Sequence, residues 1–193
     1  MKKYIAELIG AFALTLTVSL SLVGTFPIAT PLLAALTLGL FVYSIGHISG
    51  AHINPAVTLG AWSIKKISTQ NALAYMLAQF VGASIAMTIM AYTVGTPSVT
   101  STLSWAVFFA ELIGTFFFTF GIASVIYEKT PSVASGAVIG GSLLLGIAIA
   151  AHLGANGILN PAVAFGIGSF NFAYILGPLV GSVLGMQAYR KLL

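Results

Sequence analysis

Apolar residues run along this chain in stretches of about twenty, the length an α-helix needs to cross the hydrocarbon core of a bilayer. Such stretches cover residues 4–24, 31–47, 70–94, 104–126, 133–153 and 171–189, and predict six spanning helices. Polar, charged or helix-breaking residues separate them: Pro27 and Pro31, then Lys65 and Lys66, then the segment from Gly95 to Ser104, then Glu128 to Pro131. Two further stretches, 48–64 and 154–170, are apolar enough for the membrane but carry Gly, Asn and Pro near their starts and match no span. The opening Met-Lys-Lys ahead of an apolar run has the outline of a signal peptide. Glu7 interrupts that run early, however, and no small-x-small cleavage site stands out before Pro27.

Composition narrows the class. Of 193 residues, 59% are hydrophobic and only 5% charged, against about 25% charged in a typical soluble domain. Ten charges cannot solvate a water-soluble globule of this size, and so hydrophobic a chain is not a disordered one. The chain reads as a multi-pass integral membrane protein. The absence of cysteine excludes disulfides, Cys-ligated zinc and thiol nucleophiles. A formal net charge of +4 forms no basic stripe, so no nucleic-acid partner is expected. Lys2, Lys3, Lys65, Lys66, Lys129, Arg190 and Lys191 instead all fall on one side if six spans leave both termini inside. Loops near 25–30, 95–103 and 154–160 carry no charge. The positive-inside rule then places both termini in the cytoplasm, with the chain in the cell (plasma or inner) membrane.

The chain also repeats itself. Ala-Glu-Leu-Ile-Gly occurs at 6–10 and at 110–114, and Asn-Pro-Ala-Val at 54–57 and at 160–163. The two copies fall in collinear halves, about 1–95 and 104–193, each with three spans and one Asn-Pro-Ala segment. Three is odd, so the second half is inverted relative to the first, an arrangement that places broken helices near the bilayer midplane. Domain organisation is therefore a single channel-like unit over 1–193.

Asn is a strong N-cap and Pro suits the first helical position. Asn54-Pro55 and Asn160-Pro161 thus predict helix starts, each helix about ten residues or about 15 Å long, half the hydrocarbon thickness. Small Ala56 and Ala162 let two such half-helices meet at the centre. Their N-termini carry partial positive charge, and each Asn amide can cap its helix and still offer an N–H. The segments leading in, Gly50, Ala51, His52 and Ile53 on one side and Asn156 to Leu159 on the other, cannot satisfy their carbonyls by helical bonds. Irregular backbone survives at membrane depth only where it lines a water-filled cavity or packs in protein. The reading is a narrow pore with carbonyl acceptors leading to two central amide donors, open to neutral hydrogen-bonding molecules and closed to cations and protons.

At this point the sequence resembles the aquaporin, or major intrinsic protein, family. Residues 46–60, GHISGAHINPAVTLG, are similar to its first signature; the paired AELIG resembles its Glu-containing first and fourth helices; Ala78-Gln79 with Gly82 looks like its third, and YILGPLVGSVLG at 174–185 like its sixth. The resemblance covers essentially the whole chain. It implies an all-α fold of six spanning helices plus two re-entrant half-helices in an inverted 3+3 repeat, a pore in each protomer and a homotetramer. It also implies a structural role for Glu7 and Glu111, holding the loop backbone of the Asn-Pro-Ala segments, and an inner-vestibule position for His47. The family's usual Arg after the second Asn-Pro-Ala is Val163 here. The other filter positions fall at Ala34, Ala148 and Gly157, which gives a wide, apolar, uncharged constriction. Ile158 joins the pore-lining set, and His152 falls near the outer mouth.

The expected function is a passive channel for water and small uncharged solutes, with no cofactor, no bound metal and no enzymatic activity. The alternatives are a glycerol, urea or ammonia facilitator with weak water selectivity and, from another class, an ion-coupled secondary transporter. Few ionisable residues near the midplane argue against the last. No nucleophile–base pair supports an enzyme. His47 and His52, five residues apart, have the wrong spacing for a helical metal site. The small-residue rows Gly136/Gly140 and Gly177/Gly181/Gly185 predict close helix packing within the protomer.

Overall fold

The computed structural model describes residues 1–24, 27–97, 99 and 103–193. Six helices in it are long and apolar enough to cross a membrane. They are α1 (Lys2–Leu22), α2 (Thr30–Ser49), α4 (Thr69–Thr93), α5 (Trp105–Ile126), α6 (Ser135–His152) and α8 (Phe172–Lys191). Two short helices complete the set, α3 (Pro55–Ser63) and α7 (Pro161–Gly166), and a single 3-10 turn (Ser132–Ala134) leads into α6. Parts of the uncharged loops near 25–30 and 95–103 lie outside the described residues.

The helix starts follow from local chemistry. Ser68, Ser104 and Asn171 cap α4, α5 and α8, their side-chain oxygens accepting from the N–H groups of Asn71, Val107 and Ala173. Both short helices stop in the same way. A left-handed residue, Lys65 (φ 63°) or Gly168 (φ 77°), turns the chain back. The next N–H, of Lys66 or Ser169, then reaches the carbonyl five residues earlier, Ala61 or Ala164. α7 spans six residues rather than the ten expected, because Gly168 ends it early and Asn171 opens α8 directly.

The packing has a two-fold pattern. α1 packs on α2 and α4 as α5 packs on α6 and α8, while each short helix crosses to the other half, α3 against α8 and α7 against α4. Small residues set the closest approaches. A methyl at Gly82 would strike the Leu8 carbonyl of α1, and one at Gly181 would strike the corresponding Leu112 carbonyl of α5. Gly136 and Gly140 of α6 meet the carbonyls of Gly39 and Ala35 on α2, so the small-residue rows do pack within the chain. With no strand among the described residues, the fold is all-helical.

Candidate pore and its walls

Asn54 and Asn160 are extended N-caps of α3 and α7. The Asn54 carboxamide oxygen accepts the Ala56 N–H at 2.8 Å; that of Asn160 accepts the N–H groups of Ala162 at 3.0 Å and Val163 at 3.4 Å. Their amide nitrogens cross over. Asn54 Nδ2 donates to the Leu159 carbonyl at 2.9 Å, and Asn160 Nδ2 donates to the Ile53 carbonyl at 3.1 Å. One N–H of each amide is thereby committed to the other half, and one is left for a passing molecule. Pro55, Ala56, Pro161 and Ala162 are buried directly behind these caps.

Those two carbonyls are aimed by unusual backbone. Ile53 (φ 41°) and Leu159 (φ 55°) are left-handed although neither is glycine, as is Ala51 (φ 49°), a conformation that costs roughly 1–3 kcal/mol per residue and persists only where the surroundings impose it. Two buried carboxylates impose it. Glu7 accepts from the N–H groups of His52 (2.9 Å) and Ile53 (2.6 Å), and also from Ser49 Oγ and Gln79 Nε2, both at 2.7 Å. Glu111 accepts from the N–H groups of Ile158 (2.9 Å) and Leu159 (2.8 Å). With its N–H groups held behind it, each loop turns its carbonyls forward.

The side chains of the two left-handed residues need room, and the repeated AELIG provides it. Ile53 packs its methyl where a Cβ on Gly10 would stand, and Leu159 packs beside Gly114, where a methyl would lie 3.0 Å from its Cδ2 and nearer still to the Gly146 carbonyl and Ala150. Glu and Gly, three apart in each copy, thus grip the backbone and receive the side chain of one loop. The Glu part of this grip is what the family resemblance implied; the identical spacing in both copies was the only trace of the Gly part in the sequence. Two tyrosines also missed there complete the frame: Tyr75 Oη donates to the Ser49 carbonyl at 2.9 Å, and Tyr174 Oη accepts the Asn156 N–H at 3.3 Å. The frame is not fully symmetric. When Gly82 is matched to Gly181, Tyr75 meets Tyr174, but Gln79, which bonds both Glu7 and Thr58, meets Pro178.

A cavity of about 200 Å³ opens onto the Asn pair. Leu14, Val18 and Leu22 of α1, Ala34 and Leu38 of α2, Phe118 of α5, Leu143 and Ile147 of α6, and Val163 and Ile167 beside α7 form its walls. His52, Ile53, Asn156, Gly157 and Ile158 line it from the two loops. Among the four expected filter positions, Ala34, Gly157 and Val163 reach this cavity and Ala148 does not. Ala148 is exposed on the outer face of α6, and Ile147 takes the wall; one residue is about 100° around a helix. Leu159 is fully buried behind the wall rather than on it. Gly50 and Ala51 lie in the first loop outside the cavity lining, and His47 is exposed near the end of α2. His152 is exposed too, its Nδ1 2.8 Å from the Ala148 carbonyl, whereas His52 Nδ1 lies 3.1 Å from Thr58 Oγ1.

Against known families, the model described as "Major intrinsic protein" matches residues 1–189. The chain belongs to the major intrinsic protein family. Among curated members, Aquaporin AqpM of Methanothermobacter thermautotrophicus is 30% identical, over 99% of this chain and 97% of its own length. Glycerol uptake facilitator protein-like 6 of Lactiplantibacillus plantarum is 31% identical, over 98% and 97%. Among solved structures, the aquaglyceroporin from Plasmodium falciparum superposes with a TM-score of 0.69 at 23% identity, covering 98% of this chain and 93% of that one. This major intrinsic protein therefore shares the fold of that structure, and it is a multi-pass membrane protein.

Proposed function

We propose that this major intrinsic protein is a passive channel for water and small uncharged solutes, built as one unit from the halves 1–95 and 104–193, and not an enzyme. The observation that carries this reading is the crossed pair of Asn caps, Asn54 to the Leu159 carbonyl and Asn160 to the Ile53 carbonyl, at the floor of a cavity reached by non-helical loops. Two helix N-termini facing one point repel cations, and the spare amide N–H groups re-hydrate a neutral molecule there. The names of its relatives, an aquaporin and a glycerol uptake facilitator, support the same class. Positive residues at one set of segment ends support cytoplasmic termini in a cell membrane, and family membership supports a homotetramer.

A filter of Ala34, Ile147, Gly157 and Val163 favours the facilitator within this class, since none of these four residues carries a charge or an aromatic ring. Stopped-flow light scattering on proteoliposomes shocked with glycerol tests both terms. Rapid protein-dependent shrinkage reports water, and protein-dependent reswelling reports the solute. Asn160→Ala should abolish both phases. Rates equal to those of empty liposomes for water and solute alike would refute the channel.

A further inference from the structure

The walls of the cavity sort its permeants more finely than charge and size do. Among the described residues its polar side chains are Thr30, His52, Asn54, Asn156 and Asn160, and the rest of the described lining is hydrocarbon, glycine or proline. These polar groups are not spread evenly. Asn54, Asn156 and Asn160 belong to the two loops and their caps, as does the non-helical backbone of 156–158. Ala34, Ile147 and Val163, on α2, α6 and α7, offer no hydrogen bond at all. Among the described residues, a molecule in this space meets donors and acceptors from the loops, one hydroxyl at the start of α2 (Thr30), and saturated carbon at Ala34, Ile147 and Val163.

We infer that the permeants this channel favours are neutral amphipathic solutes, with vicinal hydroxyls at one end and an alkyl group at the other, over fully hydroxylated polyols of equal or similar size. This rests on the channel reading above. A triol entering the cavity gives up water around every hydroxyl but finds loop partners for those on one side only. The hydroxyl turned to Ala34, Ile147 and Val163 stays unpaired, which is the costly case for a buried polar group. A methyl in the same place loses nothing and buries apolar surface. Sites that leave a polar group unpaired discriminate more strongly than sites that merely misfit a methylene.

The test compares 1,2-propanediol with its isomer 1,3-propanediol and with glycerol, as protein-dependent reswelling of proteoliposomes after subtraction of protein-free vesicles. The isomers share a formula and nearly a volume, so the placement of the two hydroxyls, and with it the free alkyl end, is what separates them. The expected order is 1,2-propanediol, then 1,3-propanediol, then glycerol, with about tenfold between first and last. Val163→Thr keeps the side-chain shape and adds a hydroxyl to the apolar wall; it should reduce that ratio at least threefold. Ala34→Ser gives the same reading from α2 if Val163→Thr does not fold. Glycerol equal to or faster than 1,2-propanediol, with water flux intact, overturns this inference and leaves the channel standing. An unchanged ratio in both hydroxyl-bearing variants overturns it too. No protein-dependent flux of water or any solute overturns the channel reading, and this inference with it.

Discussion

Ile53 and Leu159 sit in left-handed backbone that glycine would adopt freely, yet each is a large aliphatic residue with no exposed surface. The contradiction resolves when the whole contact is considered. A carboxylate holds the N–H, a glycine on the same helix accepts the side chain, and the carbonyl is left to receive the opposite Asn. Removing any part should release the rest. Glu111→Ala takes the acceptor from the backbone N–H groups of Gly157, Ile158 and Leu159 and should cost about 2–4 kcal/mol. Glu7→Ala should cost more, because Ser49, His52, Ile53 and Gln79 all donate to that carboxylate. Chemical denaturation in detergent gives both values, and a smaller loss at Glu7 than at Glu111 would contradict the assignment. Gly114→Ala puts a methyl against Leu159 and the Gly146 carbonyl. It should lower water flux at least tenfold while the expression level stays measurable, and wild-type flux would show that the loop does not depend on that space.

At the scale of elements, the six long helices were legible because hydropathy over twenty residues averages out local detail, and each begins or ends within about two residues of its apolar run. The short helices were legible as starts, from Asn-Pro, but not as lengths, since Gly168 ends α7 before the apolar composition changes. Rotation about a helix axis was the least legible feature. Nothing in the sequence of α6 distinguishes a wall at Ala148 from one at Ile147; only packing of Gly136 and Gly140 on α2 sets that phase. The role of Glu7 and Glu111 in holding the loops some 46 residues away came from the family resemblance, whereas the seat that Gly10 and Gly114 give to Ile53 and Leu159 was not legible, being a contact rather than a pattern. The ends of the half-helices offer a separate test. Lys65 holds by strain the turn that Gly168 makes freely. Lys65→Gly should stabilise the protein by about 0.5–1 kcal/mol with flux unchanged. Thermal unfolding followed by tryptophan fluorescence would show it, and a loss of stability would mean that the lysine side chain contributes more than its backbone costs.

For the whole molecule, the decisive fact is how little charge faces the permeation path. Of the three carboxylates, Glu7 and Glu111 are turned into the loop frame, and among the described residues no Lys or Arg lines the cavity. Solute flux should therefore be the same with and without a sodium or proton gradient, and a gradient-dependent rate in sealed vesicles would favour a coupled transporter instead. Val163→Arg adds donors and a fixed cation to the cavity wall. It should narrow the range of solutes that reswell vesicles while water flux persists, and an unaltered range would move the filter elsewhere.

The crossed amides also bear on how the protein is made. When the first half has entered the membrane, Asn54 has already capped α3, but the carbonyl that receives its amide belongs to residue 159 and has yet to be synthesised. The Ile53 carbonyl likewise waits for Asn160. Neither half can finish its own centre, so a chain arrested between them exposes an open polar group rather than a working conduit. Selective passage then begins only when the last fifth of the polypeptide, which holds Leu159 and Asn160, has been inserted, and a growing chain does not breach the barrier it is being threaded into.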